Sequence, residues 1–424
     1  MPKTTLLLIL LLFTYTNAQL SQCKPINSLF VSDKFEPSST LNISQFLQEK
    51  IPTKKNSLLY LGGGAYGKAF LLDIMLKNSI NIEDTQIYQP KYRELALKSV
   101  RFKSSDIPDI NNELIFLQNM SQRHPLYFLQ YMDCGKQLGD RNTAIILTEF
   151  LDYDLNSEAF NNLKALFDIK DYLELFLMMA ISVKKLHKLN YGHFDLKPAN
   201  FMIKNSTPYI VKLIDFGMTA KPGFSDIRGT PNYIDPELFN SFAGLKLSND
   251  IFSLGTIYFD LLYGMEKIGF KSKEEFDNDS SRNLRHKNRP KLMVEQMNER
   301  LIEMQNADTF DKNELQNLIE INELILNMSN PQSKGRLKID KVVDKLGKLL
   351  NQYEQDSIYL EANSDKLFAM VYPDYEETLD IFNRKPYEPD QANPNSFLNL
   401  LCPQRTRRSA CPDPDPKSGP APGG

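Results

Sequence analysis

The chain has 424 residues, 42% of them apolar, and a formal net charge of −3 at pH 7. That length and apolar content can bury a sizeable core and still leave residues for tails. The near-neutral charge and the lack of a long basic stripe argue against a nucleic-acid partner.

The first residues have the layout of a secretory signal peptide. Lys3 supplies a positive charge, residues 6–13 form an unbroken apolar run, and Ala18 offers a small residue before Gln19. The apolar run is shorter than the roughly 20 residues that a membrane-spanning helix needs. We therefore predict that residues 1–18 are a signal peptide.

Cleavage of this leader would place the mature protein in the secretory-pathway lumen or outside the cell. Two alternatives stay open: an uncleaved signal anchor that tethers the protein to a membrane, and a cytosolic protein with a chance apolar run. No other segment is long and apolar enough to span a bilayer, so no transmembrane helix is predicted after cleavage.

Other features give mild support to the secretory prediction. N-x-S/T sequons, which are potential glycosylation sites, occur at Asn42, Asn119, Asn205, Asn278 and Asn327. The run at 405–408 resembles a processing site of the furin type, with an ordinary basic patch as the alternative. Cys134 is predicted to be a buried free thiol, whereas Cys23, Cys402 and Cys411 could form a bridge in an oxidising lumen. The spacing does not choose among the pairings.

The first half of the chain alternates strands and turns. Residues 19–55 form a polar leader with an amphipathic stretch at 43–51, and strand patterns run from 58 to 150. A polar insert at 77–93 interrupts them, and we predict that it is a surface loop.

After residue 151 the apolar spacing becomes helical. A charged insert at 271–298 is predicted to be exposed. Residues 351–424 are predicted to be an appended C-terminal tail, disordered from about residue 403, because the Pro/Gly-rich end at 412–424 cannot build a core.

A glycine-rich stretch follows the leader. Gly62, Gly64 and Gly67 form G-x-G-x-x-G between two strand patterns. Only glycine lets a strand–turn–strand backbone close over phosphate groups with no side chain in the way. Alone the motif is weak, and a glycine-rich hairpin without a ligand is the alternative.

A lysine then interrupts an apolar strand. Residues 95–98 are Leu-Ala-Leu-Lys, and a lysine in a buried strand is costly unless its charge is paired. Glu113 is the predicted partner, because Ile110, Leu114 and Leu117 around it have helical spacing. A solvated helix face is the alternative for Glu113.

Two motifs near the middle of the chain are far more specific. Residues 193–200, His-Phe-Asp-Leu-Lys-Pro-Ala-Asn, match H-R-D-L-x-x-x-N at every fixed place but Phe194. Asp215-Phe216-Gly217 is the metal-binding D-F-G. Together they supply a base, a cation, an amide and a carboxylate of the kind that handles a nucleotide phosphate.

Later landmarks complete the pattern. Residues 229–237 are similar to G-T-x-x-Y-x-A-P-E with Asp235 in place of alanine, and residues 250–255 are similar to D-x-W-S-x-G. From about 58 to about 350 the chain resembles the eukaryotic-type protein kinases. The resemblance implies that Arg336 pairs with Glu237 of the A-P-E-like motif.

The resemblance implies an α+β fold with two lobes. A small β-rich N-lobe would span about 56–150 and a larger, mainly helical C-lobe about 151–350. The implied activity is transfer of the γ-phosphoryl group of ATP to hydroxyl groups of a protein substrate, with Mg²⁺ as cofactor.

Each catalytic residue has an implied role. Asp195 would orient the acceptor hydroxyl and take its proton, and Lys197 would neutralise the transferring phosphoryl group. Lys98, paired with Glu113, would hold the α- and β-phosphates. Asn200 and Asp215 would hold Mg²⁺, which prefers oxygen ligands.

The nucleotide would lie in the cleft between the lobes. Thr148 would be the gatekeeper beside a hinge at 149–151, and adenine would lie between Ala69 and Ala96 above and Met202 below. The full set of residues expected to bind ATP is Leu61, Gly62, Gly63, Gly64, Ala65, Tyr66, Gly67, Lys68, Ala69, Ala96, Lys98, Thr148, Glu149, Leu151, Asp154 and Met202.

Three residues indicate serine/threonine specificity. Lys197 and Pro198 match the serine/threonine pattern, and the hydroxyl of Thr230 could bridge Asp195 and Lys197.

Phe194 is the notable departure, because most relatives carry an arginine there that pairs with a phosphate on the activation loop. Activation by loop phosphorylation is therefore not expected, unless Lys221 or Arg228 replaces that arginine.

A pseudokinase, which keeps the fold and acts as a nucleotide- or protein-binding module, is the alternative function. The presence of every phosphate- and metal-handling residue favours the active enzyme.

Overall fold

A computed structural model describes residues 24–25, 58–64, 67–82, 85–101, 107–136, 143–223, 229–239, 244–306 and 312–372. The predicted signal peptide, the basic run at 405–408, and Cys23, Cys402 and Cys411 lie outside these ranges. Cys134 lies in a strand, as predicted. No helix in the described ranges has the length and hydropathy needed to cross a bilayer.

The N-terminal part of the molecule is a six-stranded sheet with one helix. The strand order is β1-β5-β6-β4-β3-β2, and all neighbouring pairs are antiparallel except β1 with β5. Helix α1, Ile107–Arg123, connects β4 to β5. The strands are β1 Lys24–Pro25, β2 Leu58–Gly64, β3 Gly67–Ile82, β4 Thr85–Arg101, β5 Tyr131–Lys136 and β6 Thr143–Glu149.

Alternation along β4 positions the predicted lysine. Leu95 and Leu97 are buried, whereas Ala96 and Lys98, which alternate with them, are only half-buried. Because successive side chains of a strand point to opposite faces, Ala96 and Lys98 share the face away from the core leucines.

The polar insert at 77–93 is not a surface loop, and that prediction is wrong. Strands β3 and β4 stay paired to the end of a long hairpin, where Ile82 faces Thr85. The physical reason is an alternation that the polar composition conceals. Apolar residues recur at every second or fourth position as Ile74, Leu76, Ile80 and Ile82, a period that favours a strand.

The C-terminal part is mainly helical, with a small sheet in the order β7-β8-β9. Its strands are β7 Tyr153–Asp154, β8 Phe201–Lys204 and β9 Ile210–Leu213. Its helices are α2 Glu158–Lys164, α3 Ile169–Lys188, α4 Leu247–Tyr263, α5 Lys273–Asn278, α6 Arg282–Asn306, α7 Lys312–Met328, α8 Ile339–Tyr353 and α9 Ser364–Val371. The predicted two-lobed α+β fold is confirmed.

Helix α3 is the core helix of the larger lobe. It starts with a capping box in which Asp168 and Asp171 satisfy each other's backbone amides. Every residue from Leu173 to Val183 is buried, so the central turns of the helix pack on all sides. The ring of Tyr258 on α4 stacks on Phe176 with centroids 4.0 Å apart, and its hydroxyl donates to the Phe176 carbonyl.

The charged insert at 271–298 was predicted to be exposed, and this holds only for part of it. Helix α6 carries exposed polar side chains, but Met293 and Met297 are buried. Arg289 is buried as well, with 1% of its surface exposed. The charged composition reflects one face of the helix, while the opposite face packs against the larger lobe.

The first part of the predicted tail packs onto the larger lobe. We call residues 354–372 the C-terminal strap. Tyr359 and Leu367 of the strap are buried. The carboxylate of Glu361 pairs with Lys184 at 2.8 Å and with Lys185 at 2.7 Å, both on α3.

Candidate active site

The predicted ion pair between β4 and α1 is present. The Nζ atom of Lys98 lies 2.5 Å from Oε1 of Glu113. Burial by itself lowers the pKa of Lys98, but the carboxylates of Glu113 and Asp215 outweigh it and raise the pKa above its ordinary value. Lys98 therefore keeps its charge, and its ion pair with Glu113 joins β4 to α1.

Asp195 is the centre of a compact hydrogen-bond network. Its Oδ1 accepts from the hydroxyl of Thr230 at 2.7 Å, and its Oδ2 lies 2.7 Å from Nζ of Lys197. Its backbone carbonyl accepts from the Asn200 amide at 2.7 Å. The three residues predicted to act with Asp195 thus lie around it, although no hydrogen bond joins Thr230 directly to Lys197 in this arrangement.

Asp250 on α4 holds the loop that carries Asp195. This carboxylate is fully buried and accepts from the backbone amides of His193 and Phe194, each at 2.8 Å. The His187 ring lies 2.8 Å from the same carboxylate. The sequence pattern located Asp250 but gave it no role, and the structure shows that it anchors the catalytic loop.

The Asp215 segment is held by an aromatic cluster. Asp215 has a φ of +62°, a left-handed conformation that costs a non-glycine residue free energy and clusters at functional sites. The ring of Phe216 next to it is fully buried, and its centroid lies 5.7 Å from Phe116 on α1 and 5.7 Å from His193. This packing connects α1 to the catalytic loop and fixes Asp215 between them.

The residues predicted to hold Mg²⁺ fit that ion. Asn200 uses its amide nitrogen for Asp195, which leaves its side-chain oxygen as an acceptor. The Asp215 carboxylate accepts no hydrogen bond from the described residues. Amide and carboxylate oxygens are ligands that Mg²⁺ prefers. A larger cluster of potential metal ligands, with three or more His, Cys, Asp or Glu, is not found in the described ranges.

The glycine-rich motif lies in the β2–β3 hairpin. Gly64 pairs with Gly67 at its end, and Gly62 and Gly63 pair with Ala69 and Lys68. Leu61 is exposed. Ala65 and Tyr66, also predicted to bind ATP, lie outside the described residues.

The hinge carries polar contacts that the sequence did not indicate. The side chain of Glu149 accepts from the backbone amide of Gln130 at 2.8 Å and from Lys212. Its other oxygen accepts from the hydroxyl of Tyr372 in the strap at 2.7 Å. The Glu149 side chain is therefore fully engaged, and its backbone amide donates to the Gln130 carbonyl at 3.0 Å. Thr148 and Leu151 beside it are buried.

Lys212 on β9 contacts Glu149 at the hinge, and the sequence prediction missed this residue. Its side chain is fully buried, and its Nζ lies 4.8 Å from the ring centre of Tyr372 and 2.5 Å from the Pro125 carbonyl. Burial lowers its pKa to about 8, against the opposing attraction of Glu149. The signal was available, since a lone lysine in the apolar run 210–213 needs a partner as Lys98 does.

Three other residues predicted to contact the nucleotide lie on strands: Ala69 on β3, Ala96 on β4 and Met202 on β8. Ala69, Ala96 and Met202 are half-buried, as a surface that receives a flat ring requires. One oxygen of Asp154 accepts from the Asn156 amide at 2.8 Å. The other accepts none from the described residues and is open to the ribose hydroxyls predicted for it.

The predicted pairing of Arg336 with Glu237 is wrong. Arg336 forms two hydrogen bonds to Asp235 instead, and both side chains are fully buried. Glu237 pairs with Lys246 at 2.9 Å and accepts from the amide of Ser333. The physical reason is Asp235 itself. This carboxylate stands in the usual place of alanine, is more deeply buried than that of Glu237, and therefore forms the ion pair with the buried arginine.

Phe194 is built into the core where an arginine is usual. It forms an apolar cluster with Ile234, Leu238 and Leu245 and is 4% exposed. A Cβ atom on Gly192 would lie 2.3 Å from the Phe194 ring, so glycine is required there. The cluster connects the catalytic loop to Ile234, Leu238 and Leu245 by apolar contacts, and its described members include no cation for a phosphate.

Comparison with known proteins agrees with this geometry. The protein kinase domain family model matches residues 60–346, more than half of the chain, and the chain belongs to this family. It is 29% identical over 200 residues to serine/threonine-protein kinase mph1 of Schizosaccharomyces pombe. The matched region covers 42% of this chain and 29% of that protein.

Two further relatives carry names of the same type. Serine/threonine-protein kinase nekl-2 of Caenorhabditis elegans is 34% identical over 106 residues, 24% of this chain and 29% of that protein. Serine/threonine-protein kinase 17A of Oryctolagus cuniculus is 31% identical over 124 residues, 28% of this chain and 31% of that protein. The matched regions span less than a third of each of these three relatives. Their names support a kinase of the eukaryotic serine/threonine type.

Proposed function

We propose that the protein transfers the γ-phosphoryl group of ATP to serine or threonine hydroxyls of a protein substrate. The observation that carries this proposal is the position of Asp195 between Thr230 and Lys197. One carboxylate oxygen accepts from a hydroxyl and the other contacts a cation. A hydroxyl of an acceptor residue can be oriented by the same carboxylate, with Lys197 beside the transferring group.

The charges in the cleft suit a nucleotide triphosphate. Lys98 is held in place by Glu113 and would contact the phosphates, while Asn200 and Asp215 would hold Mg²⁺. The ion, when bound, neutralises negative charge on the phosphate oxygens. Thr230 supports serine/threonine specificity, because it already provides Asp195 with a hydroxyl partner of the kind that the acceptor would supply.

The arrangement also supports an active enzyme over a pseudokinase. The Lys98–Glu113 ion pair is formed, Phe216 is packed and Asp215 lies within electrostatic reach of Lys98. A protein that only docks to a partner has no need for these contacts to be formed together.

Transfer of radiolabel from ATP to a generic serine/threonine acceptor tests the proposal. The wild-type chain is compared with Asp195→Asn and with Asp215→Asn, at several Mg²⁺ concentrations. We expect label with the wild type, almost none with Asp195→Asn, and loss of Mg²⁺-dependent activity with Asp215→Asn. Equal labelling by wild type and Asp195→Asn, or unchanged Mg²⁺ dependence in Asp215→Asn, contradicts the assignment.

We further propose that the protein acts in the secretory pathway or outside the cell. The signal-peptide layout of residues 1–18 is the main support. Asn205, Asn278 and Asn327 of the sequons are exposed, which glycosylation requires. Gel mobility before and after removal of N-glycans from the expressed protein is the test. A mobility that does not change, together with retention of residues 1–18, argues for the cytosol.

A further inference from the structure

One buried cation of the larger lobe has no role in the chemistry described above. Arg289 on α6 is among the largest fully buried side chains, and it donates from one guanidinium nitrogen to the backbone carbonyl of Asn232. Its Nε and other terminal nitrogen have no hydrogen-bond partner among the described residues. A guanidinium that is withdrawn from water with donors unpaired is costly, so its position needs an explanation.

The carbonyl that Arg289 holds belongs to the loop that carries Thr230. We call residues 229–234 the Thr230 loop. The amides of Tyr233 and Ile234 donate to the Thr230 carbonyl at 2.9 and 3.0 Å, which closes a tight turn. Thr230 in turn donates to Asp195. A single turn of backbone thus lies between the Arg289 contact and the catalytic carboxylate.

A second set of contacts ties the same loop to the α4–α5 connection. The Asn232 side chain donates to the Phe270 carbonyl at 3.0 Å and accepts from its amide at 2.6 Å. The guanidinium of Arg285, one turn before Arg289 on α6, lies 4.1 Å from the ring centre of Phe270 and donates to the Gly269 carbonyl. Helix α6 therefore contacts the Thr230 loop directly through Arg289 and indirectly through Phe270.

We propose that Arg289 is a positioning residue for the protein acceptor, because it holds the Thr230 loop in the shape that places Thr230 against Asp195. This role rests on the proposed kinase function and concerns how the same site positions its protein acceptor. Arg289 forms no described contact with Lys98, Glu113, Asn200 or Asp215. Its loss should therefore weaken use of the acceptor and leave nucleotide binding as it is.

The test compares Arg289→Met with Arg300→Met in the full chain. Arg300 lies on the same helix and pairs with Glu303 at the surface, so its substitution removes the same kind of side chain from an exposed site. The measurements are the acceptor-peptide KM and kcat, ATP hydrolysis without acceptor, and nucleotide affinity. Hydrogen–deuterium exchange of the amides of the Thr230 loop is measured alongside, with the amides of β9 as internal reference.

For Arg289→Met we expect the acceptor KM to rise about tenfold or more, the effect of one lost charge-assisted hydrogen bond. ATP hydrolysis and nucleotide affinity should change less than twofold, and exchange should speed up in the Thr230 loop but not in β9. Arg300→Met should match the wild type. An unchanged acceptor KM, or unchanged exchange in the loop, overturns the inference.

Two further outcomes are covered by the same design. Should the wild type label no acceptor, the proposed function fails, and loop exchange alone decides whether Arg289 positions the loop. Should Arg289→Met not fold, Arg289→Lys takes its place, because lysine supplies a cationic donor group without the planar fork of the guanidinium. A smaller rise in KM and in loop exchange is then expected, and no rise in either overturns the inference.

Discussion

The guanidinium of Arg336 and the carboxylate of Asp235 form an ion pair joined by two hydrogen bonds, with both side chains withdrawn from solvent. Asp235 also accepts from the amide of Asn249 on α4 at 2.5 Å. Arg336 donates further to the carbonyl of Asn330, which follows α7. The pair therefore joins the segment after the Thr230 loop to the first turn of α4 and to the turn that follows α7.

Removal of one member of this pair should be far more damaging than removal of Glu237. Asp235→Ala leaves a buried and unpaired guanidinium, and we expect the free energy of unfolding to fall by about 3–5 kcal/mol. Glu237→Gln alters a pair with the half-exposed Lys246, and we expect a loss of about 1 kcal/mol or less. Urea unfolding of both variants measures the difference.

The double variant Asp235→Ala/Arg336→Met is the control for that comparison. It removes both charges, so it should recover part of the stability that Asp235→Ala loses. Equal losses for Asp235→Ala and Glu237→Gln would mean that the arginine pairs with both carboxylates in solution.

Lys98→Met should abolish phosphoryl transfer and leave the protein folded. The variant keeps the apolar stem of the side chain in β4 but removes the charge that faces Glu113 and the phosphates. Turnover should fall below a few per cent of the wild-type value, with a similar melting temperature. Lys348→Met, which replaces an exposed lysine on α8, should keep full turnover. Substantial turnover in Lys98→Met means that another group holds the phosphates.

Phosphatase treatment should leave the specific activity nearly unchanged. The charge-assisted hydrogen bonds that an arginine makes to a loop phosphate are worth about 1.5–3 kcal/mol. At this position the chain has Phe194, which packs against Ile234 and Leu238 instead. Turnover is measured before and after treatment, with phosphate occupancy of residues 215–237 followed by mass spectrometry. A tenfold drop would show that another cation, such as Lys221 or Arg228, clamps a phosphate.

The attachment of the C-terminal strap should depend on pH through Glu361. Burial raises the pKa of this carboxyl, but hydrogen bonds from Lys184 and Lys185 outweigh it and hold the pKa at about 2. The folded pKa lies below the ordinary value of 4.5, so the folded state releases this proton more readily. The resulting stability is complete above about pH 4.5 and is lost as the pH falls toward 2.

Glu361→Gln should therefore lower the free energy of unfolding by about 1–2 kcal/mol at pH 7, after allowance for solvent screening. The difference from wild type should shrink below pH 4.5. Urea unfolding at pH 7, 5, 4 and 3.5 measures it, with the exposed Glu303→Gln as control. A difference that stays constant over this range would show that Glu361 acts by packing and not by its charge.

Much of the fold and site could be predicted because their residues have a meaning in short stretches of sequence. Lys98 stands in an apolar strand, and Glu113 lies on an amphipathic helix, so their pairing followed from burial and charge alone. The catalytic loop and the Asp215 segment are short motifs with few alternatives.

The features that could not be predicted depend on residues far apart in the chain. Lys212, Glu149 and Tyr372 are brought together by the tertiary fold. The lone lysine in an apolar strand indicated that Lys212 needs a partner, but no local pattern identifies Glu149 and Tyr372 as the residues it meets. Arg336 pairs with Asp235 in place of Glu237, two residues further on, and the spacing of a motif does not resolve that difference. The prediction for residues 77–93 failed for another reason. Their polar composition was given more weight than the alternation of apolar residues with a period of two, which favours strands.

The contact between Tyr372 and Glu149 has a consequence for the order of events on the ribosome. The hinge carboxylate takes its partners from β9 and from the end of the strap, 63 and 223 residues further along the chain. Glu149 therefore lacks Lys212 until β9 has been synthesised, and it lacks Tyr372 until translation has passed the last turn of α9. Before β9 is made, Gln130, which precedes Glu149 in the chain, is the contact that Glu149 can form. Translation must reach Tyr372 before the connection between the lobes acquires its native polar contacts.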